Sequence, residues 1–300
     1  MIYPRIASRL LNTVLMVHPG KAAAAMAGLG ARIVDGTVTI DGAAPVDHVS
    51  ISKRAGTLDD RMGRFFDRQG KDPFNLVDGI AVIPVEGTLV HKGAWIESDS
   101  GETSYQGLQT QVVRAARNPN VKGVAFEIDS FGGEVNGAFE TADMIASLSK
   151  LKPTIAILSD DAYSAGYLMA SAARQIIVPE SGGAGSIGVI TMHTDMSKRL
   201  EANGIKVTIL SAGAHKADFN PVEPLPEEVA TRVRAELEVA REAFAGRVAK
   251  YRGGRLTKEQ AMATEADTFV GRDAVKAGLV DAVGHPSDAF QMFKKLVNRA

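Results

Sequence analysis

Ser164 stands at the seam between an apolar run, Thr154-Ile155-Ala156-Ile157-Leu158, and a run of small residues from Ser164 through Ala173. The first pattern predicts a strand and the second a helix. A hydroxyl at such a corner lies in the positive field of a helix N-terminus and is turned outward, which suits a nucleophile. It suits a helix cap equally well. Chemistry requires two further groups: a base for the hydroxyl proton, and donors for the oxyanion that forms when a carbonyl is attacked.

Candidates for both exist. Asp129-Ser130-Phe131-Gly132-Gly133-Glu134 follows the apolar stretch 121–128. Two glycines at the C-terminal end of a strand let backbone N–H groups turn toward a ligand, so Gly132 and Gly133 are candidate oxyanion donors. A plain strand-to-helix turn accounts for the pair as well. A second glycine-rich stretch, Ser181–Val189, lacks both phosphate-binding fingerprints. Among the six histidines, His193 and His215 lie near the sheet region, and Lys216 follows the strand-like run Lys206–Leu210. A lysine serves as a base only where removal from water favours its neutral form, and an ordinary loop lysine is a solvated charge. These residues by themselves leave the base open.

The elements that must hold these groups alternate. Strands are expected at Ile80–Val85, Val121–Ile128, Thr154–Leu158, Gln175–Val178, Val189–Met192 and Lys206–Leu210. Helices are expected at Tyr105–Asn118, Val135–Ser149 and Thr194–Asn203. This is α/β layering with mostly parallel strands. After Pro221, Pro224 and Pro226 a long helix runs from Glu227 to about Lys250, with Val229, Val233, Leu237, Ala240, Phe244 and Val248 on one stripe. Residues 1–75 differ: short helical patterns (Ile6–Met16, Lys21–Leu29), a hairpin at Arg32–Ile40 and the charged stretch Asp59–Lys71 read as a mainly helical N-terminal extension to a domain of residues 76–300.

Bulk properties narrow the class. A net charge of −1, 6% aromatic residues and no Lys/Arg tract give no basis for nucleic-acid binding. With no cysteine there are no disulfides, thiolate metal sites or cysteine nucleophiles. The N-terminus only faintly resembles a signal peptide, and no apolar run reaches the ~18 residues a membrane span needs. The expectation is a cytoplasmic protein without metal or organic cofactor.

The ordered set Val82-Ile83-Pro84-Val85-Glu86-Gly87, Ile128-Asp129-Ser130-Phe131-Gly132-Gly133, Ala162-Tyr163-Ser164-Ala165-Gly166-Tyr167, Gly185-Ser186-Ile187-Gly188-Val189 and Lys216 with its proline-rich loop resembles the S49 peptidase family. That family comprises signal peptide peptidases and phage capsid proteases. The resemblance covers roughly residues 79–284 and implies a ClpP/crotonase-type spiral of ββα units with a Ser–Lys dyad. It makes Ser164 the nucleophile, Lys216 the base, Ser186 the lysine-orienting hydroxyl, and Gly132 and Gly133 the oxyanion turn. Phe131 departs from the pattern, since many relatives carry proline there.

The N-terminal segment Tyr3–Thr13 with His18-Pro19 is similar to phage members, which implies head maturation with scaffold or capsid proteins as polypeptide substrates. The family also implies a homo-oligomer with dyads near subunit interfaces. Competing readings are a bacterial signal-peptide-peptidase-like housekeeping protease, a crotonase-like CoA enzyme, and a non-catalytic capsid-assembly protein.

Overall fold

Four apolar stretches pair in parallel at the centre of the molecule in this computed structural model, and the alternation along them decides which side chains face which layer. The structure describes residues 13–22, 61–93, 96, 98–99 and 101–299. Its first half contains β1 (Leu15–Val17), α1 (Arg61–Gln69), β2 (Asn75–Val77), β3 (Ile80–Val90), β4 (Ser98–Asp99), β5 (Glu102–Ser104), α2 (Tyr105–Arg117), β6 (Gly123–Glu134), α3 (Ala138–Leu151) and β7 (Thr154–Tyr163). There follow α4 (Ala165–Ser171), β8 (Gln175–Val178), β9 (Gly183–Gly185), α5 (Ser197–Ala202), α6 (Glu227–Arg252), α7 (Lys258–Ala263), β10 (Thr268–Val270), α8 (Gly271–Lys276), β11 (Ala282–Val283) and α9 (Pro286–Arg299).

On one face of the sheet Ala81, Ile83, Val85, Val124, Phe126, Ile128, Ala156 and Leu158 join the main core with residues of α2, α3 and α4. On the other face Ile80, Ala125, Ile155, Ile157 and Ile177 pack against Ala289, Phe293 and Val297 of α9. Both faces are covered, as a parallel sheet requires. Burying one such side chain contributes about 1.5–3 kcal/mol. The helices begin and end where the local chemistry directs. Ser104 accepts from the Gly107 N–H to cap α2, while α6 starts with Glu227 and Glu228 after Pro226 and stops at Gly253, whose φ is 59°.

The sheet forks. Up to Ser130, β6 lies between β3 and β7, and the last β6–β7 pair is Ser130 with Ala162. Beyond it β7 turns to pair with β9 (Ala162 with Ala184, Tyr163 with Gly185), while β6 stays beside β3 through Leu89. The strand beside the upper part of β6 is β1, antiparallel, with Leu15 opposite Glu134, Met16 opposite Gly133 and Val17 opposite Gly132. Ser164 follows β7 directly, at the base of this fork.

Several expectations shift. β3, β6 and β7 run five or six residues beyond their apolar runs, because backbone pairing continues through polar residues such as Glu86, Asp129 and Ser130. Leu15 and Met16, expected to end a helix, form β1 instead. The expected strand at Val189–Met192 is a single bridge between Ile190 and Leu15. Lys206–Leu210 forms no strand: with no partner strand beside it among the described residues, the segment leaves Val207 and Leu210 exposed, Leu210 at 92%. The expected boundary between residues 75 and 76 falls inside β2, which hairpins onto β3. The hairpin at Arg32–Ile40 and most of Ile6–Met16 and Lys21–Leu29 lie outside the described residues.

Candidate active site

The Ser164 corner is held by backbone on three sides. Ser164 has φ 54° and ψ −121°, a conformation that costs a non-glycine residue about 1–3 kcal/mol and persists only where its surroundings fix it. They do so here: the Ser164 N–H donates to the Gly185 carbonyl at 2.9 Å, and its carbonyl accepts from the Leu168 N–H at 2.9 Å. The side chain is no helix cap; its hydroxyl makes one long contact, donating to the Gly188 carbonyl at 3.5 Å. Helix α4 is built of small and apolar residues, all buried, and packs so closely that a Cβ on Gly166 would meet the Ser130 carbonyl at 2.6 Å. Its first amide, that of Ala165, has no acceptor within the helix and its nitrogen lies beside Gly132.

The two glycines do different things. The Gly132 N–H donates to Ser130 Oγ at 3.2 Å, and that hydroxyl donates to the Gly87 carbonyl at 2.7 Å. Gly132 takes φ 97°, and a Cβ there would fall 2.0 Å from the Met16 carbonyl oxygen and 3.0 Å from the Ala165 nitrogen. Only glycine fits. The Gly133 N–H faces β1, because the His18 N–H donates to the Phe131 carbonyl at 2.9 Å and antiparallel alternation makes Met16 and Gly133 the next hydrogen-bonded pair. Gly133 thus presents its amide to β1, and the Ala165 nitrogen lies beside Gly132, so both amides border the fork next to Ser164.

Ser186 sits one residue beyond the Gly185 that holds Ser164. It is buried, has φ 55°, and its N–H donates to the Asp267 carbonyl at 2.8 Å. Lys216 is placed otherwise. It is exposed, in a turn whose Lys216 N–H donates to the Gly213 carbonyl, and its ammonium is not within hydrogen-bond reach of Ser164 or Ser186. His215 beside it is bound to Asp218 at 2.9 Å and to Arg232, and His193 to the Asn220 carbonyl at 2.7 Å. Within one chain the structure brings together Ser164, Gly133 and Ser186, and leaves Lys216 outside.

Sequence reading missed three contributors: the Ser130 brace, the Gly185 carbonyl and β1. Ser130 lay inside a motif already noted, whereas nothing in the pattern Leu15-Met16-Val17 marks a partner more than a hundred residues away. The rim of the fork is aromatic. The Tyr163 ring lies 5.5 Å from Phe131 and 5.3 Å from His18, and Lys21 Nζ sits 4.1 Å over Phe131. Burial, then the Asp161 carboxylate, pushes the Tyr163 hydroxyl up, so it stays neutral. Burial, followed by the like charge of Asp160, likewise raises Asp129. Among the described residues no cluster of His, Asp and Glu could hold a metal, and no helix is long and apolar enough to cross a membrane.

Comparison with known proteins finds phage relatives along most of the chain. The capsid assembly protease C of Escherichia phage lambda is 34% identical over 97% of the chain, which spans 65% of that protein. The head-tail preconnector protein GP5 of Enterobacteria phage P21 is 39% identical over 76% of the chain, spanning 46% of that protein. The chain thus covers about half to two thirds of the length of these relatives. Among solved structures, a ClpP1 variant from Listeria monocytogenes has a TM-score of 0.40 at 15% identity, covering 69% of this chain and 92% of that one. An enoyl-CoA hydratase from Shewanella pealeana has a TM-score of 0.44 at 11% identity, covering 79% and 78%. The profile of peptidase family S49 matches residues 146–299, a span holding the Ser164 corner, Ser186 and Lys216. By that match and by its identity with the phage proteins along most of its length, the chain belongs to peptidase family S49.

Proposed function

We propose that this chain is a serine endopeptidase that works through an acyl-enzyme, with Ser164 as nucleophile and Lys216 as general base. The observation that carries the reading is the Ser164 elbow: a strained serine at the start of α4, at the base of a forked sheet, beside the Gly133 and Ala165 amides. Ser164 Oγ attacks the scissile carbonyl while its proton passes to the neutral Lys216 amine. The oxyanion is held by the amides, each donor contributing ~2.7–4 kcal/mol in comparable sites. Collapse breaks the C–N bond, and Lys216 returns the proton to the leaving amine. Water, giving a proton to Lys216, then hydrolyses the ester and frees Ser164. Ser186, next to the same turn, orients the lysine.

An exposed lysine is a poor base, so this mechanism requires Lys216 to be carried into the fork. Assembly of several copies supplies the force, because it would cover Ile205, Val207 and Leu210, which a single chain leaves in water. Substrates add as extended strands beside Gly132–Val135. The names of the phage relatives point to capsid or scaffold proteins as those substrates, processed in the cytoplasm of a bacterial or phage-infected cell.

A fluorophosphonate should label Ser164, as located by mass spectrometry. Ser164→Ala should lose labelling and peptide turnover, and Lys216→Ala turnover. Full activity in Lys216→Ala together with loss in His215→Ala would replace the dyad with a Ser–His pair. Absence of labelling in every assembly state would favour a non-catalytic capsid-assembly role, the reading that the buried Ser164 and distant Lys216 of a single chain also fit.

A further inference from the structure

The fork above Ser164 is already filled by backbone. Successive residues of a strand turn their N–H and C=O groups to opposite edges, and β1 uses both. Met16 faces Gly133 of β6, while the Leu15 N–H donates to the Ile190 carbonyl at 2.8 Å and its carbonyl accepts from the Ile190 N–H at 2.9 Å. No strand edge is left there for an incoming peptide. The Met16 carbonyl lies over Gly132, on the side where the Ala165 nitrogen lies, and the Met16 side chain is fully buried. Ser164 itself is 0% exposed, and a serine without accessible surface cannot meet a carbonyl arriving from solution. Surface cavities of about 730 and 400 Å³ lie elsewhere, and Ser164 lines neither.

We propose that Leu15–Val17 is a resident pseudosubstrate: it holds the place of the substrate strand, with Met16 at the position preceding the scissile bond, and must leave before a polypeptide can bind. This rests on the peptidase reading of Ser164. It assigns the cleft an extended, apolar substrate with an unbranched apolar residue before the cleaved bond. The resident bond survives because Lys216 is away and the Ser164 hydroxyl is turned to Gly188. A tethered strand competes at an effective concentration in the millimolar range, so it raises KM and leaves kcat alone.

Leu15 and Glu134 are directly opposed across the ladder, in a non-hydrogen-bonded pair whose close Cβ atoms suit a disulfide, and the sequence holds no cysteine to compete. The full-length Leu15→Cys/Glu134→Cys protein is compared with itself, oxidised and reduced. Reduction should raise turnover of a subsaturating fluorogenic peptide, and fluorophosphonate labelling of Ser164, at least tenfold. Met16→Pro, which removes the N–H facing Gly133, should lower KM about tenfold at unchanged kcat. A dye-labelled peptide of sequence Thr13–His18 should bind the reduced double variant and not the oxidised one.

Equal peptide binding, labelling and turnover in the two redox states would overturn the proposal and make β1 a fixed wall. Redox-dependent peptide binding with no labelling or turnover in either state would uphold the occupancy of the cleft and instead defeat the peptidase reading.

Discussion

The Ser164 corner and the segment from Ile205 to Lys216 contrast in almost every physical respect. The corner hangs from the parallel sheet, is buried, and is fixed by the Gly185 carbonyl, the Ser130 brace and helix α4. The segment has no strand partner among the described residues, and Ile205, Val207 and Leu210 face water. In the proposed mechanism, one half of the dyad is therefore built by folding a single chain. The other half, Lys216, is exposed in the single chain, and the proposal leaves its placement to assembly.

The largest effects should come from the chemistry. Ser164→Ala and Lys216→Ala should each lower kcat/KM by about 10⁴-fold or more. Lys216→Ala should do so with an unchanged Tm, because Lys216 is exposed. A large fall in Tm would show that the segment is already packed within the chain and would break the contrast.

Stability on the built side should be tested at Asp281, which accepts from Arg252 Nη2 at 2.8 Å, Arg255 Nη1 at 2.9 Å and the Ile176 N–H at 2.7 Å, with Arg252 1% exposed. Asp281→Asn leaves that guanidinium buried without its charge partner, and urea unfolding should show a loss of about 3–5 kcal/mol. Burial works against the Asp281 carboxylate, but Arg252, then the Ile176 N–H and Arg255, outweigh it and hold the group below the usual aspartate range. Its contribution is therefore complete above the unfolded pKa of about 3.9 and is lost as pH falls through the lower folded value. The Tm of the wild type should drop below about pH 4, and that of Asp281→Asn should drop less.

A smaller change is expected at Ser130. Ser130→Ala removes the acceptor of the Gly132 N–H and the donor to Gly87. Unfolding should show a loss of about 1–3 kcal/mol, with kcat reduced and KM little changed, because the oxyanion turn loses its brace. Smallest of all, Leu210→Glu should alter single-chain stability by about 0.5 kcal/mol or less. Light scattering should nonetheless show weaker assembly, and activity should fall with it. Unchanged assembly would mean that another surface brings the copies together.

Element types were legible where periodicity was strong. The central strands, α2, α3 and α6 appear where the alternation and the 3–4 residue stripe put them. Strand ends were not, because β6 and β7 continue on backbone pairing after the apolar pattern stops. The run Lys206–Leu210 carries a strand pattern, yet a strand needs a neighbour, and the described chain offers none. β1 reads as helix locally and becomes a strand because Gly133 and Ile190 present two open edges to it.

The sequence by itself determined the ordered set of motifs around Ser164, Gly132-Gly133, Ser186 and Lys216 and, through it, the family, because residue types and their order do not depend on packing. Only the tertiary structure decided which of them meet. The fork between β6 and β7 brings the Gly132-Gly133 turn beside the Ser164-Ala165 corner, sets the Gly185 carbonyl against the Ser164 N–H, and pairs Leu15–Val17 with β6. These are contacts between segments far apart in the chain, set by strand pairing that no local pattern encodes.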